Sequence, residues 1–433
     1  MTQLLRARSS EITPEMDSVA HDEGLDAEEL RRRVSSGRVV IPANPAHQGL
    51  RPVGIGAGLR TKVNANIGTS PDLCDSALEM AKLRAALEAG ADTVMDLSTG
   101  GDLEAIRAMV LRECSAPVGT VPIYEAAAEA LAKGADSPAD FTDDALFAVI
   151  ARHAEQGVDF VTVHCGVTRQ ALDLLRRQGR RMGIVSRGGS FLAARILRSG
   201  YENPLYSRFD DLIDIARAHD VTLSLGDGLR PGCIADAGDR AQTEELVTLG
   251  ELVRRARDAG VQVMVEGPGH VPMSQVRSHV ELQRTVCDES PFYVLGPIVT
   301  DIAPGYDHIA GAIGGALAAW AGASFLCYVT PAEHLGLPTA EHVRTGVIAS
   351  RIAAHAADVA RGLEGARARD DAMAGARWKL DWDRQAELAL DPDVVKAWRR
   401  QRMEEGGPEC EKDTCSMCGR FCAVRVSAEA LGL

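Results

Sequence analysis

Val261-Gln-Val-Met-Val-Glu-Gly-Pro-Gly-His270 decides how this chain folds. A short β-branched run, suited to a pleated strand, leads straight into Glu266, a Gly-Pro-Gly turn and His270. A turn that compact can aim both side chains inward. Working outward, the same pattern recurs at Lys62-Val-Asn-Ala-Asn-Ile-Gly68, Thr93-Val-Met-Asp-Leu-Ser98, Val118-Gly-Thr-Val-Pro-Ile-Tyr124, Phe160-Val-Thr-Val-His-Cys-Gly166, Gly183-Ile-Val-Ser-Arg-Gly-Gly189, Leu223-Ser-Leu-Gly-Asp-Gly228, Tyr293-Val-Leu-Gly-Pro-Ile-Val-Thr-Asp301 and Phe325-Leu-Cys-Tyr-Val-Thr330. Helix-like stretches separate these runs, and strands alternating with helices imply a parallel sheet. No G-x-G-x-x-G opens a helix after the first strand, which disfavours a nucleotide-binding Rossmann sheet. Apolar runs that end in reactive residues fit a (β/α)8 TIM-like barrel, with chemistry at the carboxyl ends of several strands. There are nine candidate runs for eight places, so one of them is a loop or a cap strand.

The flanks read differently. Residues 1–58 form a small N-terminal domain or arm, in which Asp26 caps a helix and Ile41-Pro-Ala-Asn-Pro-Ala-His47 is a loop. The barrel is expected over 59–345. Residues 346–403 are helical and charged, with an amphipathic helix over Ile348–Ala360 and Trp378, Trp382 and Trp398 as packing anchors. Residues 404–433 are a tail on a Gly/Glu-rich link. The fold class is therefore α/β, a barrel with an N-terminal appendage and a helical C-terminal region.

Composition narrows the partners. The chain has 433 residues, of which 45% are hydrophobic and 25% charged, as in an ordinary soluble globular protein. Its net charge of −14 repels phosphate backbones, so no nucleic acid is expected. Ten cysteines without a secretory signal suit a reducing cytosol, and a cytoplasmic location is expected. Residues 309–329 carry no charge, but four glycines and a strand-like end read as a buried helix and strand rather than a membrane span.

Several strand ends carry chemistry. Ser186-Arg187-Gly188-Gly189-Ser190 offers backbone N–H groups, a hydroxyl and a guanidinium, which are phosphate-binding elements. The same residues also suit a Ser-capped strand-to-helix turn. Asp227-Gly-Leu-Arg-Pro-Gly232 sets an acid and a base three apart, as a site or as a local salt bridge. His270 and His334 end neighbouring strands and could share a zinc or ferrous ion, or serve as hydrogen-bonded turn residues. His164 ends another strand and is a candidate substrate contact. There is no G-x-S-x-G, P-loop or H-E-x-x-H motif, so hydrolase and kinase readings lack their parts.

The tail adds Cys415, Cys418 and Cys422, spaced C-x2-C-x3-C. Three thiolates suit a four-iron cluster with one open iron. A zinc knuckle would want a fourth ligand, which Cys410 could supply. Accidental clustering of free thiols is the third reading. A phosphate site, a metal pair and an iron–sulfur candidate together favour one-electron chemistry on a small phosphorylated substrate.

Met95-Asp-Leu-Ser-Thr-Gly, Gly119-Thr-Val-Pro-Ile-Tyr, Ile184-Val-Ser-Arg-Gly-Gly-Ser, Leu223-Ser-Leu-Gly-Asp-Gly-Leu-Arg-Pro-Gly, Val265-Glu-Gly-Pro-Gly-His-Val-Pro-Met, Thr300-Asp-Ile-Ala-Pro-Gly-Tyr-Asp-His, Cys327-Tyr-Val-Thr-Pro-Ala-Glu-His-Leu-Gly-Leu-Pro and Cys415-Ser-Met-Cys-Gly closely resemble the phosphomethylpyrimidine synthase family of non-standard radical S-adenosylmethionine enzymes. The resemblance runs from about Ile41 to Cys422. It implies a homodimeric barrel that converts 5-aminoimidazole ribotide to 4-amino-5-hydroxymethyl-2-methylpyrimidine phosphate in thiamin biosynthesis, with formate and carbon monoxide lost. It implies a [4Fe-4S] cluster, S-adenosylmethionine, a Zn2+ or Fe2+ ion, and an electron donor such as flavodoxin or ferredoxin. Carried over by motif, Asn66, Met95, Tyr124, His164, Ser186, Arg187, Gly188, Asp227, Gly228, Leu229, Arg230, Glu266 and Tyr293 would bind substrate. His270 and His334 would bind the second metal, and Cys415, Cys418 and Cys422 the cluster. The N-terminal portion is short for the family, and the cysteine motif is one residue tighter than the C-x2-C-x4-C of longer members. A close relative, 5-hydroxybenzimidazole synthase, takes the same ribotide toward the lower ligand of cobalamin, and no residue here separates the two products.

Overall fold

The computed structural model describes residues 1–405, 414–415 and 417–432, which leaves Cys410 outside the described residues. The chain divides into two compact units, Met1–Arg361 and Gly362–Leu433.

The first unit is built on ten strands. β1 (Val39–Val40) and β2 (Ile55–Gly56) form a small antiparallel pair. β3 (Lys62–Ile67), β4 (Thr93–Asp96), β5 (Val118–Thr120), β6 (Phe160–Val163), β7 (Thr222–Leu225), β8 (Val263–Gly267), β9 (Phe292–Leu295) and β10 (Phe325–Cys327) close in chain order into a parallel eight-stranded barrel. Strand residues are almost all buried because helices cover the outside and side chains fill the inside. Inside, the Tyr293 ring stacks on Phe325 at 4.2 Å between centroids, and Phe160 meets Phe325 edge-on at 6.4 Å. Gly119 on β5 exists for this packing, since a Cβ there would lie 2.2 Å from the Phe160 ring. These aromatics sit with Asn64, whose amide donates to the Tyr293 hydroxyl at 2.7 Å.

Eight of the nine apolar runs are barrel strands. The exception is Gly183–Gly189, a loop feeding the helix Arg187–Ser199. Val185 in that run is 39% exposed, and Ser186 is the helix N-cap, so the segment starts a helix instead of joining the sheet. The run Val118–Tyr124 is also cut short. Pro122 opens the helix Pro122–Ala132, because its missing N–H costs nothing at a first helical position. Tyr124 therefore rides on a helical first turn. The uncharged stretch at 309–329 supplies the helix Asp307–Ala321 and then β10. Among the described residues no helix is long and apolar enough to cross a membrane.

The N-terminal segment folds as the helices Gln3–Arg8, Pro14–Glu23 and Ala27–Ser35 over a core of its own, including Met16, Leu30, Val34 and Ile41. Thr2, Thr13 and Asp26 cap these helices through their side chains. The segment is fastened where strands begin. Gln262, just before β8, exchanges hydrogen bonds with both backbone groups of Ile41 at 2.7 and 2.9 Å. Asp159, just before β6, accepts from the Asn44 N–H at 2.9 Å and bonds the His47 ring at 2.7 Å. This is the end of a barrel associated with stability, and it leaves the opposite end free. The helix Ala340–Ala360 packs on β3 and on the helices Ser76–Glu88 and Asp307–Ala321, so the compact unit extends past 345.

The second unit holds the helices Ala368–Trp378, Trp382–Leu388, Pro392–Glu405 and Ala423–Leu431. The Arg399 guanidinium covers the Trp382 ring at 4.4 Å. Trp398 is 74% exposed, and Trp378 is only part-covered, so neither acts as the packing anchor that the sequence suggests.

Candidate functional site

A cavity of about 530 Å³ opens at the carboxyl ends of the barrel strands. Its lining includes Asn66 of β3, Met95 of β4, Tyr124, His164 after β6, Asp227 and Arg230 after β7, Glu266 of β8 and Tyr293 of β9. Six separate strands thus converge on one pocket, as the carboxyl end of such a barrel allows. Thr162, Leu97, Val121 and Cys327 are also in the wall, and the sequence does not single them out as site residues. Cys327 was findable as the last residue of a strand, and its thiol accepts from the Asn66 amide at 3.1 Å. A second cavity of about 780 Å³ shares Asn66 and Leu97 with the first and is lined by Arg187, Glu333 and His334.

Burial sets the electrostatics. The Glu266 carboxylate accepts from Thr162 Oγ1 at 2.6 Å and from Ser224 Oγ at 2.7 Å, reaching from β6 and from the adjacent β7. Burial still raises its pKa above the ordinary carboxylate range, against those two bonds. Asp227 is pushed up to about 8 by burial, although Arg230, 3.2 Å away, pulls the other way. Its Oδ2 has no protein partner. Burial lowers His164 to about 3, so the ring is neutral, and its Nδ1 is likewise unpartnered. Two buried polar atoms without partners in one cavity are groups waiting for a polar ligand.

The phosphate-type loop stands beside this pocket. Ser186 caps the helix Arg187–Ser199 by accepting the Gly189 N–H at 3.1 Å. The first-turn N–H groups of a helix are an anion site, and Arg187 adds a cation whose guanidinium lies 4.8 Å from the Tyr124 ring centroid. The glycines are there for close approach. A Cβ on Gly188 would meet the His164 ring at 2.4 Å, and one on Gly189 would meet the Gly228 carbonyl oxygen at 2.2 Å. Helix start, imidazole and Asp227–Arg230 turn are therefore packed in direct contact.

Two of the carried-over residues do not present a free group to the cavity. The Leu229 side chain is fully buried in the core. Its N–H donates to Glu245 at 2.8 Å, and its C=O accepts from Arg180 at 2.6 Å. Gly228 is a packing residue, since a Cβ there would meet Val167 at 2.3 Å. Arg180, Asp239 and Glu245 brace this turn. Sequence reading missed them because their partners lie tens of residues away.

His270 and His334 face each other with their Nε2 atoms 3.2 Å apart. His270 Nδ1 lies 2.8 Å from Asp301, and His334 Nδ1 lies 3.3 Å from Asp307. A carboxylate accepts only, so each ring points its Nδ1 hydrogen at its aspartate, and in the neutral rings this leaves two Nε2 lone pairs facing each other. Two facing lone pairs are unfavourable unless a cation lies between them. Two nitrogens on one tetrahedral zinc would be about 3.3 Å apart, close to the observed separation. His334 has a left-handed backbone, with φ +62°, a conformation rarely kept without a reason. Among the described residues no group of three or more His, Cys, Asp or Glu side chains gathers around a point. The pair would therefore need water or substrate to complete a coordination shell.

In the second unit, Cys415, Cys418 and Cys422 carry no disulfide. Desolvation and then the neighbouring Cys415 and Cys422 push the Cys418 thiol up. A turn over Gly419–Phe421 joins the last two cysteines, and among the described residues the three sulfurs do not converge on one point. Three soft thiols within eight residues nonetheless supply the ligand type of an iron–sulfur cluster.

The family profile and the sequence relatives agree along nearly the whole chain. The profile described as the Radical SAM ThiC family matches residues 2–429. A phosphomethylpyrimidine synthase of Moorella thermoacetica is 60% identical over 432 residues, covering 100% of this chain and 99% of that one. Phosphomethylpyrimidine synthases of Desulforamulus reducens and Methanopyrus kandleri are 57% and 58% identical, covering 100% and 95% of this chain and 99% and 95% of their own lengths. Family membership brings a [4Fe-4S] cluster and S-adenosylmethionine with it. The chain is a radical S-adenosylmethionine enzyme of thiamin biosynthesis and belongs to the Radical SAM ThiC family.

Proposed function

We propose that this enzyme converts 5-aminoimidazole ribotide to 4-amino-5-hydroxymethyl-2-methylpyrimidine phosphate, releasing formate and carbon monoxide. The observation that carries the reading is the contact between an anion-binding helix start at Ser186–Gly188 and a pocket holding the unpartnered atoms of His164 and Asp227. A ribotide needs both parts, a grip on its phosphate and polar partners for its hydroxyls and ring.

In this reading the Arg187 guanidinium and the first-turn N–H groups hold the phosphate. Asp227 and Glu266 accept from ribose hydroxyls and the amine, and neutral His164 accepts or donates at Nδ1. Tyr293, Asn66 and Met95 set the floor. Their network is already joined, since the Tyr293 hydroxyl donates to Met95 Sδ at 3.5 Å. Leu229 and Gly228 act through the backbone packing that fixes Asp227 and Arg230.

Cys415, Cys418 and Cys422 would hold the cluster, which would supply the one-electron reduction that makes a radical from S-adenosylmethionine. The pocket's part is to keep water out and the ribose still, because such a radical attacks whatever is near. His270 and His334 would hold a zinc or iron(II) ion, a Lewis acid beside the pocket. Flavodoxin or ferredoxin would serve as electron donor.

A homodimer is part of the proposal. Ile309, Ile313 and Trp320 lie along one face of the helix Asp307–Ala321 and are 50%, 46% and 59% exposed. A row of large apolar side chains on one helix face is a contact surface. Light scattering of the purified chain should give twice the chain mass, and a monomer would remove this element.

The reading is tested by incubating anaerobically reconstituted protein with ribotide, reductant and S-adenosylmethionine and identifying the product by mass. The pyrimidine phosphate supports it. 5-Hydroxybenzimidazole would assign the chain to the relative that shares its substrate.

A further inference from the structure

Asp301 touches two parts of the site at once. Its Oδ1 accepts from His270 Nδ1 at 2.8 Å. From the other side, the Ile234 N–H donates to its two carboxylate oxygens at 3.0 and 3.3 Å. Ile234 belongs to the loop that begins with Asp227 and Arg230, and this loop is clamped farther back. The Arg180 guanidinium donates to the carbonyls of Leu229 and Arg230 at 2.6 and 3.3 Å while pairing with Asp239 at 2.8 Å. The backbone thus carries the pocket turn to Ile234, and two hydrogen-bonded steps, Ile234 amide to Asp301 and Asp301 to His270, carry it on to one imidazole of the histidine pair. Asp307 serves the other imidazole at 3.3 Å, but it is the first residue of its own helix and no bond from its side chain to that loop is seen among the described residues.

We propose that Asp301 is a positioning residue that fixes His270 for a divalent cation and couples the ribotide-binding turn to it, so that cation and ribotide raise each other's affinity. This rests on the histidine-pair reading given above. The carboxylate sets the ring tautomer and aim, which for a metal-bound histidine is worth about 10–100-fold in affinity. The Asp301 side chain is 32% exposed, so without the Ile234 amide it is free to turn toward water. A ligand on Asp227 and Arg230 stills the loop, keeps that amide on Asp301, and removes an ordering cost from cation binding. Linkage requires the same factor in reverse.

The test uses the full-length, cluster-loaded protein, so that the tail cysteines are occupied, with Zn2+ titrated anaerobically by calorimetry with and without ribotide. The wild type should bind Zn2+ roughly fivefold or more tightly with ribotide present, the low end of ordinary coupling. Asp301→Asn should bind Zn2+ about 10–100-fold more weakly and lose the ribotide effect, with iron content and thermal midpoint unchanged. Asp307→Asn should weaken Zn2+ binding but keep the ribotide effect. The proposal is overturned if Asp301→Asn binds Zn2+ like the wild type or keeps the full ribotide effect. Equal Zn2+ binding by the wild type and His270→Ala would instead remove the histidine-pair reading on which it stands.

Discussion

Gly188 and His164 leave no room for a methyl group between them: a Cβ on Gly188 would lie 2.4 Å from His164 Cε1 and 2.5 Å from Nδ1. The phosphate-type helix start is thus seated on the same imidazole that lines the pocket, and any bulk added at Gly188 is transmitted to that ring. Gly188→Ala should push the ring off its position, because neither helix backbone nor barrel wall can yield. Overpacking of this kind costs about 1–3 kcal/mol of stability. The larger loss should be in ribotide affinity, by at least tenfold, read by calorimetry on folded variant.

Glu266 gives a prediction about charge rather than shape. Glu266→Gln keeps an oxygen that can accept from Thr162 and Ser224, so the barrel should fold as before. What is lost is a charge-assisted acceptor for the substrate, worth about 1.5–3 kcal/mol. Ribotide binding should weaken by roughly 10–100-fold with an unchanged thermal midpoint. Unchanged affinity would mean that Glu266 serves the barrel alone.

Asp227 should make the ligand-free enzyme less stable in mild alkali. Burial raises its carboxyl to about 8, well above the unfolded value near 4. A raised folded pKa gives stability that is full below the unfolded value and is lost as pH rises through the folded one. The window is therefore about pH 4 to 8. Asp227→Asn removes the titration, so its thermal midpoint relative to wild type should rise between pH 5 and pH 8, by roughly 1 °C per kcal/mol recovered in a chain of this length. A pH-independent difference would show that Arg230 keeps the carboxylate ionised throughout.

Cys418→Ala should stop S-adenosylmethionine cleavage while leaving ribotide affinity within about twofold, as expected for sites without shared partners. The cysteines belong to the unit Gly362–Leu433 and the pocket to the unit Met1–Arg361. Iron and sulfide analysis reports the cluster, and calorimetry reports the ribotide. Loss of ribotide affinity with the cluster intact would contradict this separation.

Much of the barrel was legible because period and composition report strands locally. Runs such as Val261–Glu266 and Phe160–His164 name both a strand and the reactive residue at its end. Gly183–Gly189 misled because three apolar residues before a Ser-Arg-Gly-Gly turn look alike whether they end a strand or start a helix. Tyr124 was placed one element early for a related reason: Pro122 both stops β5 and opens the next helix. The bracing roles were not legible. Arg180 and Glu245 are charged residues in ordinary polar stretches, Asp301 ends an apolar run without naming its partner, and only the closed barrel brings them to Leu229 and His270.

The central claim is that one pocket holds the ribose against the radical made at the tail. Ribotide deuterated on the ribose, given to the reconstituted enzyme in a single anaerobic turnover, tests it most directly. The account predicts deuterium in the 5′-deoxyadenosine produced, together with pyrimidine phosphate. Unlabelled 5′-deoxyadenosine formed at the full rate would contradict it, because the radical would then be spent away from the sugar that this pocket is proposed to grip.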